Sequence, residues 1–169
     1  MSEALQVKKS GDLELVIART FDAPRALVFD AFTKPELVKR WLLGPPGWSM
    51  PVCDIDLKVG GRYRWVWRND ERDKDMGVSG TFRELQPPER IVHDELFDED
   101  WTGGQTIVTT EFSEANGRTL VTMTVRYSSA AARDAALGTG MTRGMEQSYQ
   151  RLDEILAANA ANRAAQSAA

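Results

Sequence analysis

Between Cys53 and Tyr127 the chain is a succession of short runs in which apolar and polar residues alternate, divided by turn residues, with no long helical segment between them. This pattern specifies an antiparallel meander rather than repeated strand-helix-strand units, whose parallel crossovers need about a dozen residues or more outside the sheet. Cys53, Ile55 and Leu57 alternate with Asp54, Asp56 and Lys58. After the Gly60-Gly61 turn, Tyr63, Trp65 and Trp67 alternate with Arg62, Arg64 and Arg68, so these two strands form a hairpin. Segments 77–85, 90–97, 106–112 and 119–127 complete the run, and Asn116-Gly117 is a hairpin turn because both residues tolerate positive φ.

The flanks differ. Residues 13–21 are mostly apolar and rich in β-branched side chains, as in a strand packed on at least one face. Asp22-Ala23-Pro24 supplies a helix cap and a proline near the first turn, and Ala26, Leu27, Phe29, Ala31 and Phe32 follow at helical spacing. Lys34-Pro35 interrupts this helix, 36–42 reads as another helical turn or two, and Gly44-Pro45-Pro46-Gly47 ends it in a loop. After Ser128-Ser129 the composition turns alanine-rich, and a serine cap precedes helix 130–137. Met141, Met145, Tyr149, Leu152 and Leu156 then form one apolar stripe at three- and four-residue steps, opposite Arg143, Glu146, Arg151 and Glu154. That stripe must face the sheet. The expected architecture is α+β: a curved antiparallel sheet of six or seven strands around a long C-terminal helix, with two short helices after the first strand. Residues 1–12 read as an N-terminal extension, 13–157 as the domain, and 158–169 as a frayed or disordered tail without a large apolar anchor.

A chain of 169 residues suits one domain with one core. The 25 acidic and 21 basic residues give a formal charge of −4, spread without a basic stripe, so nucleic acid is not an expected partner. No apolar run approaches the roughly 20 residues that span a bilayer, and the first residues lack a signal-peptide pattern, so the expected address is the cytoplasm and no membrane partner is expected. Cys53 is the single cysteine and reads as a buried small hydrophobe. One His and one Cys cannot assemble a four-ligand soft site, and no carboxylate loop has calcium spacing, so no metal or other cofactor is expected. The stretch from Gly138 to Gly144 lacks phosphate-loop spacing and follows a helix; its glycines are expected to thin or kink the helix or line a cavity mouth.

The phrases Phe21-Asp22-Ala23-Pro24, Lys34-Pro35-Glu36 through Trp41, Gly60-Gly61-Arg62 and Pro87-Pro88-Glu89-Arg90-Ile91-Val92, set in this order of elements, resemble a known family. They are similar to the START/SRPBCC proteins related to the C-terminal domain of the activator of the ninety-kilodalton heat-shock protein ATPase, over about 13–156. The resemblance implies a helix-grip (START/Bet v-like) fold with a ligand-sized cavity under the grip helix. That superfamily includes lipid carriers, hormone receptors, polyketide cyclases and co-chaperone domains, so fold alone does not transfer function. Eukaryotic co-chaperones of the family carry a separate chaperone-engaging N-terminal domain, whereas about a dozen residues precede the first strand here, so a chaperone partner is not the first expectation.

The chemistry-bearing residues centre on the aromatic strand and the methionine stripe. Tyr63, Trp65 and Trp67 on one strand face are expected to meet Met141, Met145 and Tyr149, and flexible methionines with amphipathic rings suit an apolar ligand as well as an ordinary core. Trp41, Trp48 and Trp101 stand beside loops, where they either gate an opening or pack locally. His93 is the only histidine, and Glu95 shares its strand face. Either the face Ile91, His93, Glu95, Phe97 or the face Val92, Asp94, Leu96 turns inward, and alternation does not choose between them. No catalytic residue is assigned. The expected ligand-binding set is Tyr63, Trp65, Trp67, His93, Glu95, Met141, Met145 and Tyr149, holding a small hydrophobic or aromatic molecule. The alternatives are a cyclase- or dehydratase-like enzyme using the same cavity and a heat-shock ATPase activator-like interaction module, and an exposed sheet edge is compatible with a homodimer.

Overall fold

The computed structural model describes residues 3–168. In chain order the elements are β1 (Gln6–Ser10), β2 (Glu14–Phe21), α1 (Arg25–Thr33), α2 (Pro35–Trp41), β3 (Trp48–Ile55), β4 (Arg62–Asn69), β5 (Lys74–Gln86), β6 (Arg90–Phe97), β7 (Thr106–Ala115), β8 (Arg118–Arg126), α3 (Ala130–Leu137) and α4 (Met141–Ala168). All eight strands form one sheet in the order β1-β2-β8-β7-β6-β5-β4-β3, and every pairing is antiparallel. β3 to β8 are the meander read from alternation. β2 lies against β8, far across the sheet from β3, so the α1-α2 excursion carries the chain over the width of the sheet. The Asn116-Gly117 turn joining β7 to β8 has φ of 55° and 75°, the left-handed pair that a two-residue hairpin requires.

Aromatic rings join the helices to the sheet. Phe32 of α1 packs against Phe21 of β2, Phe112 of β7 and Trp41 of α2, with centroids 6.5, 5.3 and 4.8 Å away. The Trp41 indole donates to the Ala31 carbonyl at 2.9 Å, which fixes α2 against α1. Tyr149 of α4 meets Phe21 edge-on at 5.1 Å, and Leu152, Ile155 and Leu156 are buried in the same cluster. Beside it, the buried guanidinium of Arg19 on β2 makes a two-pronged pair with Asp153 of α4 and lies 4.7 Å from the centre of the Phe21 ring. α4 is thus tied to β2 by rings and by a buried charge pair.

Three local expectations change. Among the described residues the sheet has eight strands instead of six or seven, because part of the expected extension is β1. Its sequence Gln-Val-Lys-Lys-Ser has one large apolar residue; its order comes from the ladder to β2 and from the Glu3 carbonyl accepting from Arg19 Nε at 2.9 Å. Asp22 does not cap α1: Pro24 is the N-cap, and the Arg25 amide donates to the Glu114 carboxylate of β7 at 2.6 Å. Where a frayed or disordered tail was expected, α4 continues almost entirely exposed to Ala168, since alanine sustains helix by intrinsic propensity without packing. The serine cap is present: the Ala132 amide donates to Ser129 Oγ at 3.0 Å.

The Arg19–Asp153 pair has a measurable consequence. Asp153→Ala leaves a buried guanidinium without its counter-charge and is expected to lower unfolding stability by about 3–5 kcal/mol. The double variant Arg19→Met/Asp153→Leu should recover much of that loss in urea titrations; a double variant no more stable than the single one would show that the charge pair is not what anchors α4.

Candidate functional site

Between the concave face of the sheet and α4 lies a cavity of about 610 Å3, within the roughly 300–1,000 Å3 typical of small-molecule sites. Its floor is formed by inward residues of β4 to β8, its roof by the first turns of α4, and one side by the loop after α2. The packing of α4 explains the opening. Ser148, Tyr149, Leu152, Ile155 and Leu156 are buried, whereas Met141 and Met145, nearer the start of the helix, are only part-buried and border the space. The glycines Gly138 to Gly140 separate α3 from α4 instead of kinking one helix, and Gly140 at φ +83° and Gly144 border the cavity.

The loop is held by main-chain contacts. The Gly44 amide donates to Ser148 Oγ at 2.8 Å and Arg151 donates to the Gly44 carbonyl at 2.8 Å, while the Trp67 indole donates to the Leu42 carbonyl at 2.6 Å.

β6 turns the face Ile91, His93, Glu95, Phe97 to the cavity. Asp94, on the opposite face, is buried by other contacts: it accepts from the Thr81 amide and from Arg83 Nε, each at 3.0 Å. Tyr63 lies over Gly80, where an added Cβ would come within 1.9 Å of the Asp94 carbonyl oxygen and 2.6 Å of the tyrosine ring. Its hydroxyl donates to that carbonyl at 2.8 Å and sits 3.0 Å from His93 Nδ1, itself 3.2 Å from the same carbonyl. A proton on Nδ1 satisfies all three contacts, which leaves Nε2 as a lone-pair acceptor. Burial pushes His93 down to about 4, so it is neutral at physiological pH.

Glu95 differs from its neighbour. No donor or cation approaches its carboxylate among the described residues, and burial alone pushes it up to about 7. It faces Thr106 across the β6–β7 ladder. The Thr106 hydroxyl and the indole nitrogens of Trp65 and Trp101 are buried without a partner among the described residues, and all three residues border the cavity. Such unmet groups are uncommon in a finished core. Trp65, Val78 and Phe97 form one row across β4, β5 and β6, and Phe97 packs on Trp101 at 4.8 Å.

All eight residues expected from the sequence, Tyr63, Trp65, Trp67, His93, Glu95, Met141, Met145 and Tyr149, border this one cavity. Trp48 and Trp101 border it as well, while Trp41 is in the lining and also part of the core. Sequence reasoning missed Thr106, Thr110 and Tyr127. Their signal is period-2 alternation combined with register: once β6 shows which face is inward, Glu95↔Thr106 and Ile91↔Thr110 follow. Among the described residues no group of three or more His, Cys, Asp or Glu side chains could hold a metal, and no helix is long and apolar enough to cross a membrane.

A curved antiparallel sheet closed by a C-terminal helix over an internal cavity defines a helix-grip protein of the START/SRPBCC class. The chain belongs to the family described as Activator of Hsp90 ATPase homolog 1-like protein, whose model matches residues 22–157. It is similar to a crystal structure of a Rhodobacter sphaeroides protein, with 35% identity, coverage of 92% of this chain and 99% of that one, and a TM-score of 0.87. A Nitrosomonas europaea protein shares the fold at 24% identity, 88% and 97% coverage and a TM-score of 0.77. An Hsp90 activator from Plasmodium falciparum shares it at 24% identity, 68% and 73% coverage and a TM-score of 0.50. No curated protein matches the chain.

Glu95 sets a pH dependence. Its pKa is raised by folding from 4.5 to about 7, so the folded state holds the proton more tightly and stability falls as pH rises through that window. The cost approaches roughly 3 kcal/mol above pH 7. His93 runs the other way, losing stability as pH falls from 6.5 to about 4, so the informative quantity is the difference between wild type and Glu95→Gln. The variant should be the more stable near pH 8 and the advantage should vanish near pH 4.5; a pH-independent difference in urea unfolding would contradict the assignment.

Proposed function

We propose that the protein is a binding module for a small hydrophobic or aromatic molecule held between the sheet and α4. The observation that carries this reading is a cavity of about 610 Å3 whose wall combines apolar rings and methionines with a few polar groups that have no partner among the described residues. A packed core removes its voids and satisfies its buried polar atoms, whereas a ligand site leaves both for the ligand. Methionines on the roof and rings on the floor favour a flat apolar guest by dispersion and by displaced water. The neutral fluorophore N-phenyl-1-naphthylamine should bind with micromolar affinity and enhanced emission. Met123→Trp, which places bulk on the β8 wall, should weaken binding at least tenfold without lowering the melting temperature. Absence of saturable emission with the wild-type protein would sink the reading.

Membership of the Hsp90 ATPase activator-like family supports a second reading, a chaperone-associated module. This reading predicts an increased ATPase rate when the protein is added to a purified ninety-kilodalton chaperone. An unchanged rate at saturating protein removes it while leaving the binding reading intact.

A further inference from the structure

The cavity has two neighbouring acceptors, and among the described residues no lysine or arginine side chain pairs with either. His93 and Glu95 are two residues apart on β6, so both side chains project from the same face, and both border the cavity. The tautomer fixed by Tyr63 and the Asp94 carbonyl turns the His93 Nε2 lone pair away from that network. The Glu95 carboxylate has no partner among the described residues. Four aromatic rings border the same cavity: Phe97 on the same strand, Trp101 against it at 4.8 Å, Trp65 in the same row, and Tyr63 packed on Trp65 at 4.8 Å.

We propose that the ligand, held as the binding reading above requires, is an amine: a flat apolar body bearing a protonated nitrogen that sits at Glu95 beside His93 Nε2, with aromatic faces around it. An ammonium group supplies the donors that both acceptors lack and the charge that a buried carboxylate needs. Aromatic faces attract it in addition, most strongly where water is excluded. The two unpartnered indole N–H groups make a weaker opposing demand, for an acceptor; a buried charge left unpaired is far more costly than a buried N–H left unpaired, so the carboxylate decides the class. An oxygen elsewhere on the amine would meet the indoles without changing that class.

Other titrating groups around Glu95 do not compete for the cation. His93 is neutral, with its pKa near 4. Burial raises the hydroxyls of Tyr63 and Tyr149, and it raises Tyr127 to about 12, with the Glu95 charge adding to the rise at Tyr63 and Tyr127. The remaining charges in the lining, Arg72, Lys74 and Glu99, are exposed at the open side, where Lys74 and Glu99 pair at 3.1 Å and solvent screens them.

The test is competition against bound N-phenyl-1-naphthylamine by two near-isosteric probes, 2-(2-naphthyl)ethylamine and 2-(2-naphthyl)ethanol. At pH 8.5 the amine should displace the fluorophore at a concentration at least tenfold lower than the alcohol. That preference should shrink towards unity at pH 5.5, where Glu95 carries its own proton, and should be lost in Glu95→Gln while the alcohol still binds. Equal or tighter binding of the alcohol at pH 8.5, or an amine preference that survives in Glu95→Gln, overturns the amine assignment and leaves the cavity reading standing. Failure of both probes to displace bound fluorophore also overturns it, whereas failure of the fluorophore itself to bind overturns the cavity reading on which it rests.

Discussion

α4 is buried through its middle turns and only part-buried at its start, where Met141 and Met145 touch the core clusters and border the cavity. Tyr149 against Phe21 and Asp153 against Arg19 hold it to β2, and Leu152, Ile155 and Leu156 complete the contact. A helix held at one place across a curved sheet can follow the surface only locally, because the sheet bends away and the helix does not. The separation that results is the cavity, and every feature of the site depends on it: which strand faces look into the space, which residues of α4 remain part-buried, and why the loop after α2 needs its own tethers. The crossing of α1 and α2 serves the same end, since Phe32 and Trp41 fill one flank of the anchoring cluster and the chain reaches the far edge of the sheet already packed.

Two polar residues of one strand meet different fates. His93 is absorbed by a network that includes a tyrosine laid over a glycine and a main-chain carbonyl, which fixes its proton and its orientation. Glu95 projects from the same face and receives no hydrogen bond or counter-charge among the described residues. Polar side chains inside proteins are ordinarily satisfied, so the contrast is one of degree: His93 is engaged through Nδ1 and keeps only Nε2 free, whereas the whole Glu95 carboxylate is without a partner among the described residues. The indoles of Trp65 and Trp101 divide in the same way from those of Trp41 and Trp67, which both donate to carbonyls.

The meander and the two-helix insertion were legible because each rests on local chemistry: period-2 alternation, glycine turns and prolines. The eight lining residues were legible because a strand face and a helix stripe of apolar residues that point at each other must share a space. β1 was not, since Gln6 to Ser10 has little apolar content and is ordered by the ladder to its neighbour. The Asp22 cap failed because a carboxylate remote in sequence, Glu114, captures the first amide of α1. Which face of β6 turns inward was equally hidden, because both faces carry apolar and acidic residues and only the partners of Asp94 across the sheet settle it. Thr106 looked like an ordinary strand threonine until register placed it opposite Glu95. Apart from β1, which pairs with the next strand in the chain, what escaped the sequence was a relation between different elements of the fold.

The loop that borders the cavity is held to α4 through the amide and carbonyl of Gly44, not through any side chain of its own. Peptide groups are common to nearly all sequences, so these two hydrogen bonds do not depend on which side chains the loop carries. The attachment of the loop and the shape of the cavity wall are therefore separable in this chain: side chains along the loop shape the wall, while Ser148 and Arg151, on the helix, hold the backbone in place.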